Sequence, residues 1–300
     1  DSRRPKMTAM PPQQPEPTDA ERDAGTHRAD SRPAESDSGA QAAQDASRLR
    51  RVLITGATGE IGGALARAYA ETGTTLILTG RKQRKLDAIA SDCRKLGAEV
   101  ECTVLNLCDE ETLFTWLDDV CARGVPDIAI ANAGMNTDIG PQGNGERWEV
   151  SRRLLQTNVI GTLGMAHHLA MAMKQRGSGQ LVLLSSLAAW HGLALTPSYS
   201  GSKAAVKAYG EGLRSWLKPH GVGVTVVMPG YVTSPMCEAM PGPKPFEMPP
   251  EKAARRILKG AARNRARISF PFPLNFGCWW LSVLPAGISQ RLLEWFNYTH

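Results

Sequence analysis

From Arg50 onward, short apolar runs recur along the chain, each closed by a turn and followed by a stretch of helical periodicity. Val52-Leu53-Ile54 precedes a helix-period stretch over 61–72, and Leu76-Ile77-Leu78 precedes a helix face of Leu86, Ile89, Ala90 and Leu96. The run 100–105 precedes Leu113, Trp116, Leu117 and Val120, and 128–130 precedes one long helix over 150–176. The run 181–184 leads to a helix over 197–218, then to a strand over 222–228. Strands apolar at every position are buried on both faces, and helices between them imply right-handed crossovers in a parallel sheet. The pattern predicts an α/β fold, a doubly wound parallel sheet with its ligand crevice at the carboxyl ends of the strands.

Residues 1–48 lie outside that pattern. They contain no Val, Leu, Ile, Phe, Tyr, Trp or Cys. Such a segment cannot bury enough apolar surface to offset backbone ordering, so a disordered tail is expected. It has no apolar core of a secretory signal and too many acids for a transit peptide. The expected organisation is a tail over 1–48, a nucleotide-binding domain over 49–250 and a C-terminal extension over 251–300. Cys93, Cys102, Cys108, Cys121, Cys237 and Cys278 form no Cys-x-x-Cys pair. That spacing argues against a zinc ribbon or disulfide scaffold, and it fits a reducing, cytoplasmic setting. His167 and His168 are neighbours on a helix and face different ways, one packed and one exposed, so no metal site is expected. The tail carries 7 basic and 9 acidic residues against 28 and 20 in the rest, which leaves the body mildly basic.

The first strand runs into Thr55-Gly56-Ala57-Thr58-Gly59-Glu60-Ile61-Gly62. Glycines between a strand and a helix let backbone N–H groups approach a pyrophosphate at the helix N-terminus, the Rossmann-type arrangement. After the second strand stand Arg81 and Lys82, where a free ribose hydroxyl would call for Asp or Glu. Two cations suit a 2′-phosphate, so NADP(H) is preferred over NAD(H). Tyr199 and Lys203 share a helix face at i, i+4, thirteen residues after Ser186 at a strand end. A nearby cation favours the phenolate, which makes Tyr199 a candidate acid/base for carbonyl–alcohol chemistry.

With these motifs in order, residues 50–235 resemble the short-chain dehydrogenase/reductase family. The family's Tyr-x-x-x-Lys falls on Tyr199 and Lys203, its catalytic Ser on Ser186, and its helix Asn on Asn158 in Gln156-Thr157-Asn158-Val159-Ile160-Gly161. Its Asn-Ala-Gly falls on Asn132, Ala133 and Gly134. Its Pro-Gly turn falls on Pro229 and Gly230, with Val232 and Thr233 next to the expected nicotinamide carboxamide. The resemblance implies that Tyr199 moves the hydroxyl proton, that Lys203 lowers the Tyr199 pKa and binds ribose, that Ser186 holds the substrate oxygen, and that Asn158 holds a water in a relay with Lys203. It also implies cofactor contacts from the Thr55–Gly62 turn, Asn106 and Leu107. Two positions depart from it: Glu60 stands where the common pattern has Gly, and Asn106 where Asp is frequent.

The expected function is therefore an NADP(H)-dependent oxidoreductase acting on a carbonyl or alcohol. A catalytically silent nucleotide-binding scaffold of the same fold is the alternative. The basic stretch Lys252 to Arg267 lacks any nucleic-acid motif, so no nucleic-acid partner is expected. Met236, Met240, Phe246 and Met248 lie in the segment 235–250 where the family places a substrate lid, and they favour an apolar substrate. His191 is a candidate substrate-border residue and Trp190 a candidate substrate-facing one, whereas Trp116 and Trp216 are expected in the core. Residues 251–267 read as a basic helix, followed by an uncharged stretch over 268–290. Eight of the 18 aromatics lie in the final 31 residues. Pro271, Pro273 and Pro285 argue against a clean membrane span. Two readings stand for this end: attachment to a membrane surface, or packing on the sheet edge, in the substrate pocket or in a homo-oligomer interface.

Overall fold

The computed structural model describes residues 50–137, 145–240 and 243–296; the tail expected over 1–48 lies outside them. Seven strands pair in parallel: β1 (Arg50–Ile54), β2 (Thr74–Gly80), β3 (Glu99–Val104), β4 (Ile128–Ala131), β5 (Gly179–Leu184), β6 (Val222–Pro229) and β7 (Arg267–Phe270). Their order is β3-β2-β1-β4-β5-β6-β7. The direction of winding reverses between β1 and β4, which is where a doubly wound sheet opens its crevice.

The alternating pleat explains the continuous apolar strands. Val52 and Ile54 of β1 point to one face, where α1 (Glu60–Tyr69), α2 (Gln83–Lys95) and α8 (Pro250–Ala261) cover them. Leu53 points to the other, under α3 (Glu110–Ala122), α5 (Thr162–Arg176) and α6 (Pro197–Leu217). Every residue of β2 and of β6 is buried. β3 is the sheet edge and has no buried residue, which explains the glutamates at 99 and 101.

Four local expectations are corrected. The helix predicted over 150–176 is broken: α4 (Trp148–Leu155) and α5 flank a π-helical turn over Gln156–Gly161. The helix predicted over 251–267 ends at Ala261. Asn264 takes a positive φ of 45°, which no helix continues, and the chain then enters β7 beside β6. Leu96 lies past the end of α2 and is exposed. Trp216 is exposed rather than core; its ring lies under the Lys174 ammonium at 4.8 Å, whereas Trp116 is buried as expected. His167 is exposed, while His168 stacks on Phe114 and bonds to Asp118 at 3.1 Å.

Three further helices complete the chain. The short α7 (Pro235–Glu238) follows β6, and α9 (Leu274–Val283) and α10 (Ala286–Trp295) follow β7. No helix among the described residues is long and apolar enough to cross a membrane.

Candidate active site

The glycine turn is built by close backbone approach. Gly56 has φ +65°, and a Cβ there would lie 2.6 Å from the Ala133 Cα. A Cβ on Gly62 would lie 2.3 Å from the Gly56 carbonyl oxygen. The Asn132 side chain braces the turn, its Nδ2 donating to the Thr55 and Gly56 carbonyls, each at 3.0 Å. Thr55 Oγ1 accepts from the backbone N–H groups of Asn132 and Ala133, each at 3.2 Å. Thr55 and Asn132 thus hold the turn's shape from behind. In front, α1 begins with Gly59 as its N-cap and no side chain capping it, so the N–H groups of its first turn remain for a ligand. Glu60 sits there exposed.

One cavity of about 930 Å³ runs along the carboxyl ends of the strands. Gly56, Thr58, Gly59, Glu60, Ile61 and Gly62 form its floor at α1. Arg81 and Lys82 stand at one end with Asn106 and Leu107. Lys85 joins them one turn along α2, a cation that its spacing from Arg81 and Lys82 could have revealed. Ala133 and Gly134 lie midway, and Ser186, Tyr199, Lys203, Pro229, Gly230 and Val232 close the other end. Uncapped N–H groups, a glycine floor and three cations fit a phosphorylated dinucleotide. Thr55, Asn158 and Thr233 do not line the cavity. The Thr233 N–H donates to the Met248 carbonyl at 3.0 Å, tying the loop after β6 to the segment before α8.

Tyr199 and Lys203 lie on α6, which begins with Pro197 in its first turn. The Ser186 hydroxyl is hydrogen-bonded to the Tyr199 phenol. Lys203 Nζ lies 5.7 Å from the centre of the Tyr199 ring and donates to the Leu184 carbonyl at 3.0 Å. Gly134 leaves room for that ammonium, since a Cβ there would come within 3.4 Å of it. Asn158, in the π-turn, is buried. Its Oδ1 accepts from the Met135 N–H at 2.8 Å, and its Nδ2 donates to the Met135 carbonyl at 2.9 Å and to Ser202 Oγ at 3.1 Å. Ser202 in turn donates to the Tyr199 carbonyl at 2.7 Å. The Asn158 side chain therefore ties the loop after β4 to the Tyr/Lys helix, and its Oδ1 keeps a second lone pair for a further donor.

Burial governs the protonation of the pair. It pushes the Tyr199 phenol up, against the hydrogen bond to Ser186, which pulls it down. It pushes Lys203 down, to about 8. The lowering expected from Lys203 is outweighed by the burial of the phenol itself. Tyr199 keeps its proton at neutral pH.

Of the two loop residues, His191 lines the cavity and Trp190 does not. The Trp190 ring lies between Lys207 Nζ at 4.8 Å and the Arg267 guanidinium at 4.6 Å, and Glu211 pairs with both cations. That is a cation–π stack that anchors the loop from outside. Met236, Met240 and Phe246 line the cavity as the lid reading expects; Met248 is instead packed in the core. α9 and α10 contribute to the wall, among them Cys278, Leu281, Leu284 and Leu292, one of the placements that the apolar character of this end left open. No group of His, Cys, Asp or Glu able to hold a metal occurs among the described residues.

Residues 50–242 match the family model described as short chain dehydrogenase. An uncharacterized oxidoreductase of Myxococcus xanthus is 34% identical over 239 residues, 79% of this chain and 93% of that one. A serine 3-dehydrogenase of Rhizobium radiobacter is 33% identical over 195 residues, 62% of this chain and 72% of that one. A short-chain dehydrogenase from Sphingobium yanoikuyae, solved in complex with NADPH, matches with a TM-score of 0.69 at 26% identity, over 82% of this chain and 96% of its own.

Proposed function

The chain belongs to the short-chain dehydrogenase/reductase family and is an NAD(P)-dependent oxidoreductase; from that premise we propose that it interconverts an apolar ketone or aldehyde with its alcohol, using NADP(H) and the residues Tyr199, Lys203, Ser186 and Asn158. One observation carries the reading. A protonated phenol bonded to a serine hydroxyl, with a lysine over its ring, stands at one end of a cavity whose other end holds Arg81, Lys82 and Lys85.

A nicotinamide dinucleotide bound there would supply the hydride. Ser186 donates to the substrate oxygen and helps hold the charge that develops on it. Tyr199 gives its proton to that oxygen in reduction and recovers it in oxidation. Lys203, held by the Leu184 carbonyl, offers its ammonium to the ribose hydroxyls and steadies the phenolate once it forms. Asn158 acts through position, fixing Met135 and, by way of Ser202, the helix that carries Tyr199. Pro229, Gly230 and Val232 line the cavity in the loop that would meet the carboxamide, and Thr233 fixes that loop through its bond to the Met248 carbonyl.

The preference for NADP(H) rests on the three cations at the end of β2 and the start of α2; the one acid among the described lining residues, Glu60, stands on α1 and not after β2. The apolar substrate rests on Met236, Met240 and Phe246 at the far end. Attachment to the cytoplasmic face of a membrane and assembly into a homo-oligomer are the two readings supported by the exposed aromatics of the last two helices.

Tyr199→Phe tests the core of the reading. Turnover across a panel of ketones, aldehydes and alcohols should fall by roughly 10²–10⁴-fold, with NADPH binding and unfolding midpoint unchanged. Turnover within a few-fold of the parent would remove Tyr199 from the chemistry.

A further inference from the structure

On the substrate side, the cavity wall is one helix thick. α9 carries no charged residue and none of its residues is buried. Cys278 and Leu281 line the cavity, while Phe276, Trp279 and Val283 are exposed and do not. Met236, Phe246, Trp280 and Phe296 do both: each lines the cavity, and each is more than 40% exposed. The mouth is therefore rimmed by large apolar side chains contributed by the α7 segment on one side and by α9 and the end of α10 on the other. Phe246 is held at φ +58°, a conformation that favours glycine, with its ring still outward.

The rim continues into a wider apolar face. Phe276, Trp279 and Trp280 form a ring cluster with centroids 5.3 to 6.0 Å apart, and Phe272 and Trp295 are exposed beyond it. The Ser289 hydroxyl donates to the Leu281 carbonyl at 2.9 Å and locks α10 against α9. On α10 itself the exposed Arg291 and Glu294 stand beside this face. The Arg256 guanidinium stands 5.7 Å over the Phe270 ring at its start, and exposed Arg255, Lys259, Arg263, Arg265 and Arg291 flank the uncharged run. An apolar face bordered by cations complements an anionic leaflet. Each of the two helices has ten residues, about 15 Å, too short to span but long enough to lie within one leaflet.

We propose that the α9–α10 pair seats in one leaflet of an anionic bilayer with the cavity mouth against the acyl chains, so that the substrate is a lipid-dissolved alcohol or carbonyl compound that enters from the membrane without crossing water. This rests on the reading of the chain as an oxidoreductase of apolar substrates. It adds a delivery route and a class: molecules that partition into lipid.

The full chain, saturated with NADPH, is sedimented with phosphatidylcholine vesicles and with vesicles that also contain phosphatidylserine. Binding should be at least about ten-fold stronger to the anionic vesicles. The double variant Phe276→Glu, Trp279→Glu should lose about ten-fold or more of it while binding NADPH as the parent does. A Phe246→Cys chain bearing an environment-sensitive fluorophore then reports the mouth, and its emission should shift to that of an apolar medium on vesicles and be quenched by brominated acyl chains. No vesicle binding by the parent overturns the proposal, as does equal binding to both vesicle types. Water-like emission at position 246 on bound protein overturns the entry route. A parent that forms dimers which the double variant loses, with no vesicle binding, assigns the face to a second copy instead. None of these outcomes touches the Tyr199 test with water-soluble substrates, so failure here and failure of the enzymatic reading remain separate.

Discussion

Lys203 and Trp295 stand in each other's ordinary places. Lys203 is only 6% exposed, with one carbonyl as its hydrogen-bond partner; Trp295 is 78% exposed at the end of the last helix. Lysine is rarely buried unpaired, and a tryptophan seldom gives up so much of its surface to water. The two regions break the same rule by different means. In the crevice the Ser185 hydroxyl donates to the Lys203 carbonyl at 2.7 Å and the Lys203 ammonium to the Leu184 carbonyl at 3.0 Å, so the structure itself imposes the misplacement. In α9 and α10 no described contact of Trp295 beyond its Phe296 neighbour imposes it, and the proposal above covers the face with a bilayer. Apolarity in sequence thus says that a surface must be covered, and only the topology says whether the chain covers it.

The contrast can be broken most severely at a glycine of the crevice. Gly62→Ala pushes a methyl to within 2.3 Å of the Gly56 carbonyl, backbone against backbone. It should cost about 3 kcal/mol in urea unfolding and abolish NADPH binding. A variant that unfolds like the parent would mean that the turn yields.

Lys203→Met removes the misplaced charge. Because burial lowers Lys203 from 10.5 to about 8, below that pH both folded and unfolded chains hold the proton and the folded state bears the full cost. From about 8 toward 10.5 the unfolded chain alone remains protonated, so the stability of the parent should rise relative to the variant over that window. The relative gain is at most about 3 kcal/mol. Parallel pH–stability curves for parent and variant would show an ordinary lysine.

Arg81→Ala sharpens the contrast from the charged end of the cavity. NADPH binding should weaken by one to two decades more than NADH binding, since a charged hydrogen bond contributes roughly 1.5–3 kcal/mol. Equal losses in a titration with both cofactors would show that Arg81 does not read the phosphate.

The smallest effect is the mirror of the first. At Gly277, within α9, a Cβ meets nothing within 4 Å. Gly277→Ala should therefore raise stability by about 0.5–1 kcal/mol, the gain of alanine over glycine inside a helix. A loss in the same assay would mean that the open space is needed.

What the sequence could and could not reveal follows the same division. The doubly wound sheet was legible because every buried strand is apolar at consecutive positions. Tyr199 and Lys203 were legible as a pair because they share a helix face, and Ser186 joined them through the family resemblance at the end of a strand. Asn132, expected as a cofactor contact, lines the cavity, and its side chain also bonds the Thr55 and Gly56 carbonyls, a long-range brace that no local pattern encodes. β7 was hidden because the arginines run past the end of α8, and four residues are too few to show alternation. Trp216 and Trp116 share a helical apolar setting in sequence; only the crossing of α6 over the sheet turns one outward.

The π-turn at Gln156–Gly161 makes the length of this helix part of its meaning. A turn of that kind holds one residue more than an α-turn would, and each helical residue is worth about 100° of rotation. Shortening the segment by one residue would let α4 and α5 fuse into a continuous rod while swivelling one of them by about that angle. Gly161, whose missing side chain admits the Leu107 carbonyl, and Asn158, which holds Met135, would then no longer face their partners together. An insertion or deletion here acts as a change of phase, and a chain could keep every residue of the site yet lose their alignment.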